Sequence, residues 1–174
     1  MIDLKILALS CFITLSFAAT TKADERFMPY IEWIVENSDM EYNGEPLPTL
    51  DIMPYDLLQI EVYGAEQVAQ AEYQGYELAP VLGGYDDENK RMMFPDTGDV
   101  WEMQDVMVHE LYHYMQDING TMTDCPGDSE VEAYKLHELW MDEHNVEGER
   151  PNLLWAVMLQ MACQEHYYWD GHPP

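Results

Sequence analysis

The run His109-Glu110-Leu111-Tyr112-His113 constrains the fold of this chain more than any other stretch. On a helix, residues four apart sit one above the other on one face, so His109 and His113 can aim two imidazole nitrogens at a single ion about 2 Å away. Glu110 lies roughly 100° further round, where its carboxylate can polarise a water held on the ion without being a ligand. With 6 histidines in 174 residues the pattern seldom arises by accident. The plain alternative is a solvated helical face that carries two His and a Glu by chance. A working site needs a helix with an apolar back and a second face turned to a cleft.

Residues 100–117 supply such a helix. Trp101, Val108, Leu111, Tyr112 and Met115 fall on one side of a helical wheel, and Glu102, His109, His113, Gln116 and Asp117 on the other. Just before it, 76–85 and 90–95 flank the polar turn Asp86-Asp87-Glu88-Asn89 and read as a β-hairpin. Its edge can add a strand to an extended peptide, or serve packing alone. Upstream, 26–38 reads as a helix with Phe27, Ile31, Ile34 and Val35 on one side, 47–53 as a short strand kept at a sheet edge by Pro48, and 54–62 as helical. Downstream, 130–144 reads as a helix, and 152–169, apolar almost all round, as a buried core helix. The mixture predicts an α+β fold, with a small sheet or hairpin packed on the motif helix and further helices after it.

A chain of 174 residues is enough for one domain with a real core. Residues 1–23 have the parts of a secretory signal peptide: Lys5, an apolar run from Ile6 to Leu15, and small residues before a Ser16-x-Ala18 or Thr21-x-Ala23 cleavage site. The expectation is an exported protein, periplasmic or secreted, whose single domain is 24–174. The apolar run is shorter than the roughly 20 residues of a span, so no stable membrane insertion is expected after cleavage. Cys125 and Cys163 then remain, either as a disulfide suited to an oxidising compartment or as two buried thiols. With 7 Lys+Arg against 34 Asp+Glu the net charge is -27, which repels nucleic acid and anionic lipid and excludes both as partners.

Two histidines leave a catalytic zinc site incomplete, because such sites take three protein ligands and an open position. A third His in H-E-x-x-H-x-x-G-x-x-H is absent: Gln116 and Asn119 stand at its Gly and final His positions. Farther on, Ser129-Glu130-Val131-Glu132-Ala133-Tyr134 resembles the E-x-x-A-D segment by which gluzincin metallopeptidases supply a glutamate from a second helix. Over 83–141 the chain thus resembles the small, exported bacterial kind of H-E-x-x-H zinc metallopeptidase. The resemblance implies a minimal zincin-like domain and zinc held by His109, His113 and Glu130. It implies hydrolysis of a peptide or protein substrate by a zinc-activated water, with Glu110 as general base.

The residues themselves favour Glu130 over Glu132. Ser129 and Glu132 fit a capping box, whereas Glu130 shares the inward arc of Ala133, Leu136, Trp140 and Met141, where a carboxylate needs a partner. Asp124 is a weaker candidate. Tyr134 stands where the pattern often has Asp, and His137 lies two turns from Glu130 on its face. Both are candidate donors to a developing oxyanion, and His137 also reads as a core histidine. Two rival functions stay open. One is a catalytically weak or inactive zinc-binding envelope protein acting as an interaction module, and the other an acidic structural protein whose motif is accidental.

Overall fold

The motif helix lies at the centre of the packing. In the computed structural model, which describes residues 24–123, 125–148 and 150–169, helix α4 (Gln104–Ile118) is buried at every position from Val106 to Gln116. The expected leader at 1–23, Asp124 and the tail at 171–174 lie outside the described residues. Burial on both faces arises because α4 is enclosed by α1 (Met28–Asn37), by α5 (Pro126–His144) and by the short strand β2 (Gly84–Asp86). The core joins Phe27, Ile31 and Ile34 at the amino end, Met92 and Phe94 from β3 (Arg91–Pro95), Met107, Val108, Leu111 and Met115 from α4, and Ala133 and Leu136 from α5.

The described residues form six α-helices and one three-stranded sheet, an α+β architecture. Strand order is β1-β3-β2, with β1 (Thr49–Met53) parallel to β3 from Thr49 opposite Arg91 to Met53 opposite Pro95, and β2 antiparallel to β3. Pro48 thus precedes an edge strand, as its missing N–H requires. The hairpin turns where the acidic cluster places it, with Asp86 Oδ1 accepting from the Asn89 N–H at 3.0 Å. Arg91 clamps the sheet from outside: its guanidinium donates to Asp86 at 2.7 Å, to Asp51 of β1 at 3.4 Å, and to Glu61 of α2 (Tyr55–Tyr63).

Three expectations change. The first hairpin arm is only Gly84–Asp86, because at Ala79 and Val81 the backbone takes its partners from side chains: Tyr63 Oη donates to the Ala79 carbonyl at 3.0 Å, and Val81 N–H donates to Tyr55 Oη at 3.3 Å. Before it lies a helix not read from the sequence, α3 (Ala65–Gln74), which stops at Gly75 in the left-handed region (φ 73). Third, α6 (Leu153–Trp169) is peripheral. Ala156 is buried, but Leu154, Met158 and Met161 are exposed, since α6 packs chiefly on α5.

That α5–α6 contact is intimate at its base. A Cβ on Gly127 would lie 2.1 Å from the Gln160 backbone nitrogen, so only glycine permits the approach. Cys125 and Cys163 form a disulfide beside it, and Gln160 Nε2 donates to Asp128 Oδ1 at 2.8 Å. No helix among the described residues is long and apolar enough to cross a membrane.

Candidate metal centre

Helix α4 presents His109 and His113 one turn apart, and α5, crossing it, presents Glu130 from its first turns. The two Nε2 atoms are 3.2 Å apart. Glu130 Oε2 lies 3.2 Å from His109 Nε2, and its Oε1 lies 3.4 Å from His113 Nε2. A tetrahedral ion with bonds of about 2.05 Å separates neighbouring ligand atoms by about 3.3 Å, so the spacing fits one ion among the three. His109, His113 and Glu130 form a group that could hold a metal ion, with ligand atoms within 4.8 Å of one another. Two imidazoles and one carboxylate are also a donor set of catalytic zinc sites.

The charge states of His109 and Glu130 suit that arrangement, and that of His113 runs against it in the absence of a metal. Burial pushes His109 down to about 4, so its imidazole is neutral at pH 7. Burial acts the same way on His113, but hydrogen bonding to Glu130 and the charge of Glu110 outweigh it and hold His113 above its ordinary value. Glu130 is held well below the carboxylate range, the two imidazoles overcoming its burial.

Glu110 is different. It is buried on α4, accepts no hydrogen bond from the described residues, and burial raises its carboxyl to about 7. Its neighbour across the cleft is Gly83, where a Cβ would come within 3.0 Å of Glu110 Cγ and of Val106 Cγ1. The missing side chain lets the start of the hairpin lie directly over the carboxylate. All four groups line one open cleft of about 690 Å³, together with Gly84, Tyr85, Val106, Met122, Tyr134 and His137.

Tyr134 and His137 both reach this cleft. The Tyr134 ring centroid is 4.8 Å from that of His109, and burial, with Glu130 and Glu110 nearby, raises its hydroxyl to about 12, so it keeps its proton. His137 Nε2 lies 3.1 Å from Asp105 Oδ2. Burial tends to raise Asp105, but His137 overcomes it and holds the carboxyl below its ordinary value.

Sequence reasoning missed Asp105 and the role of Gln116. Signals for both were present: Asp105, His109 and His113 recur every fourth residue along one face, and Gln116 continues it by three. Glu132 lies away from the cleft, exposed and paired with Lys135 at 2.6 Å. The capping box is a correction, because α5 starts at Pro126 with Cys125 as its cap, leaving Ser129 inside the helix with a buried, unpartnered hydroxyl.

Residues 23–173 match a family described as a domain of unknown function, DUF6647, and the chain belongs to that family. No curated protein and no solved structure matches the chain.

Proposed function

We infer that this DUF6647 member is an exported zinc-dependent metallopeptidase with a minimal zincin-like fold. One observation carries the reading: His109, His113 and Glu130 converge on a single point beside a buried Glu110 that accepts no hydrogen bond from the described residues, all on one open cleft. Zinc bound there would supply Lewis-acid polarisation of a water and of the substrate carbonyl.

The remaining work falls to the protein's own side chains. Glu110, buried on the cleft beside the three ligand groups, serves as the base for an attacking water and then as the acid for a departing amine. Tyr134, which keeps its hydroxyl proton, is a donor for the negative charge that develops on the carbonyl oxygen, and His137, whose Nε2 hydrogen is engaged by Asp105, can join it only as the imidazolium. Among the described residues β2 pairs only with β3. Gly84 and Tyr85 of β2 line the cleft, which favours a binding mode in which an extended polypeptide pairs with its backbone. The Cys125–Cys163 disulfide suits an oxidising compartment and so supports export.

The test is Glu110→Gln in the purified chain. Peptidase activity should fall by about 10²- to 10⁴-fold while bound metal is unchanged, and unaltered turnover would remove Glu110 from the mechanism. A second reading, a zinc-binding interaction module without turnover, is favoured by His109 Nδ1, which is buried and has no partner among the described residues where an orienting group normally sits. It predicts stoichiometric zinc and no cleavage of any peptide in a broad library.

A further inference from the structure

Gln116 lies one turn beyond His113 on α4 and is 4% exposed. Its side chain makes two contacts. Oε1 is 2.9 Å from His113 Nδ1, and Nε2 donates to the backbone carbonyl of Ser129 at 3.2 Å. A carbonyl oxygen only accepts, so the end of the amide facing Ser129 must be the NH₂. The end facing His113 is then the amide oxygen, which also only accepts. His113 must therefore carry its hydrogen on Nδ1, and in the neutral ring this leaves Nε2 as a bare lone pair. That nitrogen is the one 3.2 Å from His109 Nε2 and 3.4 Å from Glu130 Oε1. One helix carbonyl thus dictates, through one side chain, which His113 nitrogen is open to a metal.

The same contact has a second effect. Ser129 immediately precedes Glu130, so Gln116 also ties the ligand-bearing turn of α5 to α4. His109 has no equivalent, since its Nδ1 is without a hydrogen-bond partner among the described residues.

We propose that Gln116 is a positioning residue of the metal centre, holding His113 in the Nδ1–H tautomer and, through Ser129, holding Glu130 in register with it. Metal affinity then depends on a side chain that touches no metal. The proposal rests on His109, His113 and Glu130 being the ligands.

The experiment compares the purified chain with Gln116→Leu and Gln116→Glu. Zinc affinity is measured by competition with a chromophoric chelator, and the visible absorption of the cobalt-substituted protein is recorded. Gln116→Leu should bind zinc about 10- to 100-fold more weakly, with altered cobalt bands. Gln116→Glu should recover only part of the affinity, because its carboxylate still accepts the Nδ1 hydrogen but cannot donate to the Ser129 carbonyl. A merely structural role would lower the melting temperature of both variants and leave the cobalt bands as they are. Should Gln116→Leu not fold, long-range nitrogen–proton NMR of the metal-free wild type in alkaline buffer gives the tautomer directly. Hydrogen on His113 Nδ1 supports the proposal and hydrogen on Nε2 overturns it. Wild type that takes up zinc while Gln116→Leu matches it in affinity and spectrum overturns the role of Gln116 alone. Wild type that takes up neither metal overturns the ligand assignment, and this proposal with it.

Discussion

Between Val106 and Gln116 helix α4 carries two histidines, a glutamate and a glutamine, yet it is buried throughout. Helix α6 is written almost wholly in apolar residues, yet Leu154, Met158 and Met161 are exposed. The difference lies in what surrounds each helix. α4 is enclosed by α1, α5 and β2, whereas α6 packs chiefly against α5. Polar groups can be taken into the first environment because most of them satisfy one another: His109 and His113 face Glu130, and Gln116 bridges His113 and Ser129. Burial follows position in the packing, and the polar chemistry of α4 is tolerated because most of it is paired, Glu110 and His109 Nδ1 being the exceptions among the described residues.

Truncating a side chain on each helix tests this contrast. Met107→Ala on α4, where the side chain is fully buried, should destabilise by about 2 to 5 kcal/mol in urea unfolding. A value near zero would show that α4 is not the centre of the core. Gly127→Ala, at the junction of the two regions, should cost about 1 to 3 kcal/mol by the same measurement, since the new methyl meets the backbone of α6. Full wild-type stability there would mean that the α5–α6 contact is looser than described.

The ionic clamp on the sheet should be weaker still. Arg91→Met should lose on the order of 1 kcal/mol at neutral pH, and its pH dependence has a definite sign. Burial tends to raise Asp86, but the hydrogen bonds from Arg91 and Asn89 prevail and its folded value is lowered. Its contribution is therefore present above the unfolded value of about 3.9 and disappears as the pH falls through the lower folded value. The gap in urea midpoint between wild type and Arg91→Met should be constant above about pH 5 and close below about pH 4. A gap that widens on acidification would contradict the clamp. Smallest of all, Met158→Ala on the exposed side of α6 should change stability by no more than about 0.5 kcal/mol, and a loss as large as that of Met107→Ala would erase the contrast between the helices.

The legible and illegible parts of the chain divide along the same line. The H-E-x-x-H helix, the hairpin before it and the inward face of Glu130 could be read because apolar periodicity and turn chemistry mark them locally. Helix α3 could not: apart from Val68 and Tyr73 its apolar residues are alanines, and only Ala71 is buried, so no bulky side chains mark a core face. The periphery of α6 is a matter of topology, invisible to a pattern that is apolar all round. Asp105 and Gln116 resemble solvated polar residues until α5 is laid against them. Ser129 and Glu132 show the converse, a local capping signal overridden because α5 begins at Pro126.

The central claim is that α4 and α5 together hold one metal ion through His109, His113 and Glu130. Metal analysis of the purified chain beside Glu130→Gln and Glu132→Gln tests it most directly. Stoichiometric zinc in the wild type and in Glu132→Gln, with zinc lost from Glu130→Gln, is the predicted result. Zinc retained by Glu130→Gln, or absent from all three, would contradict it.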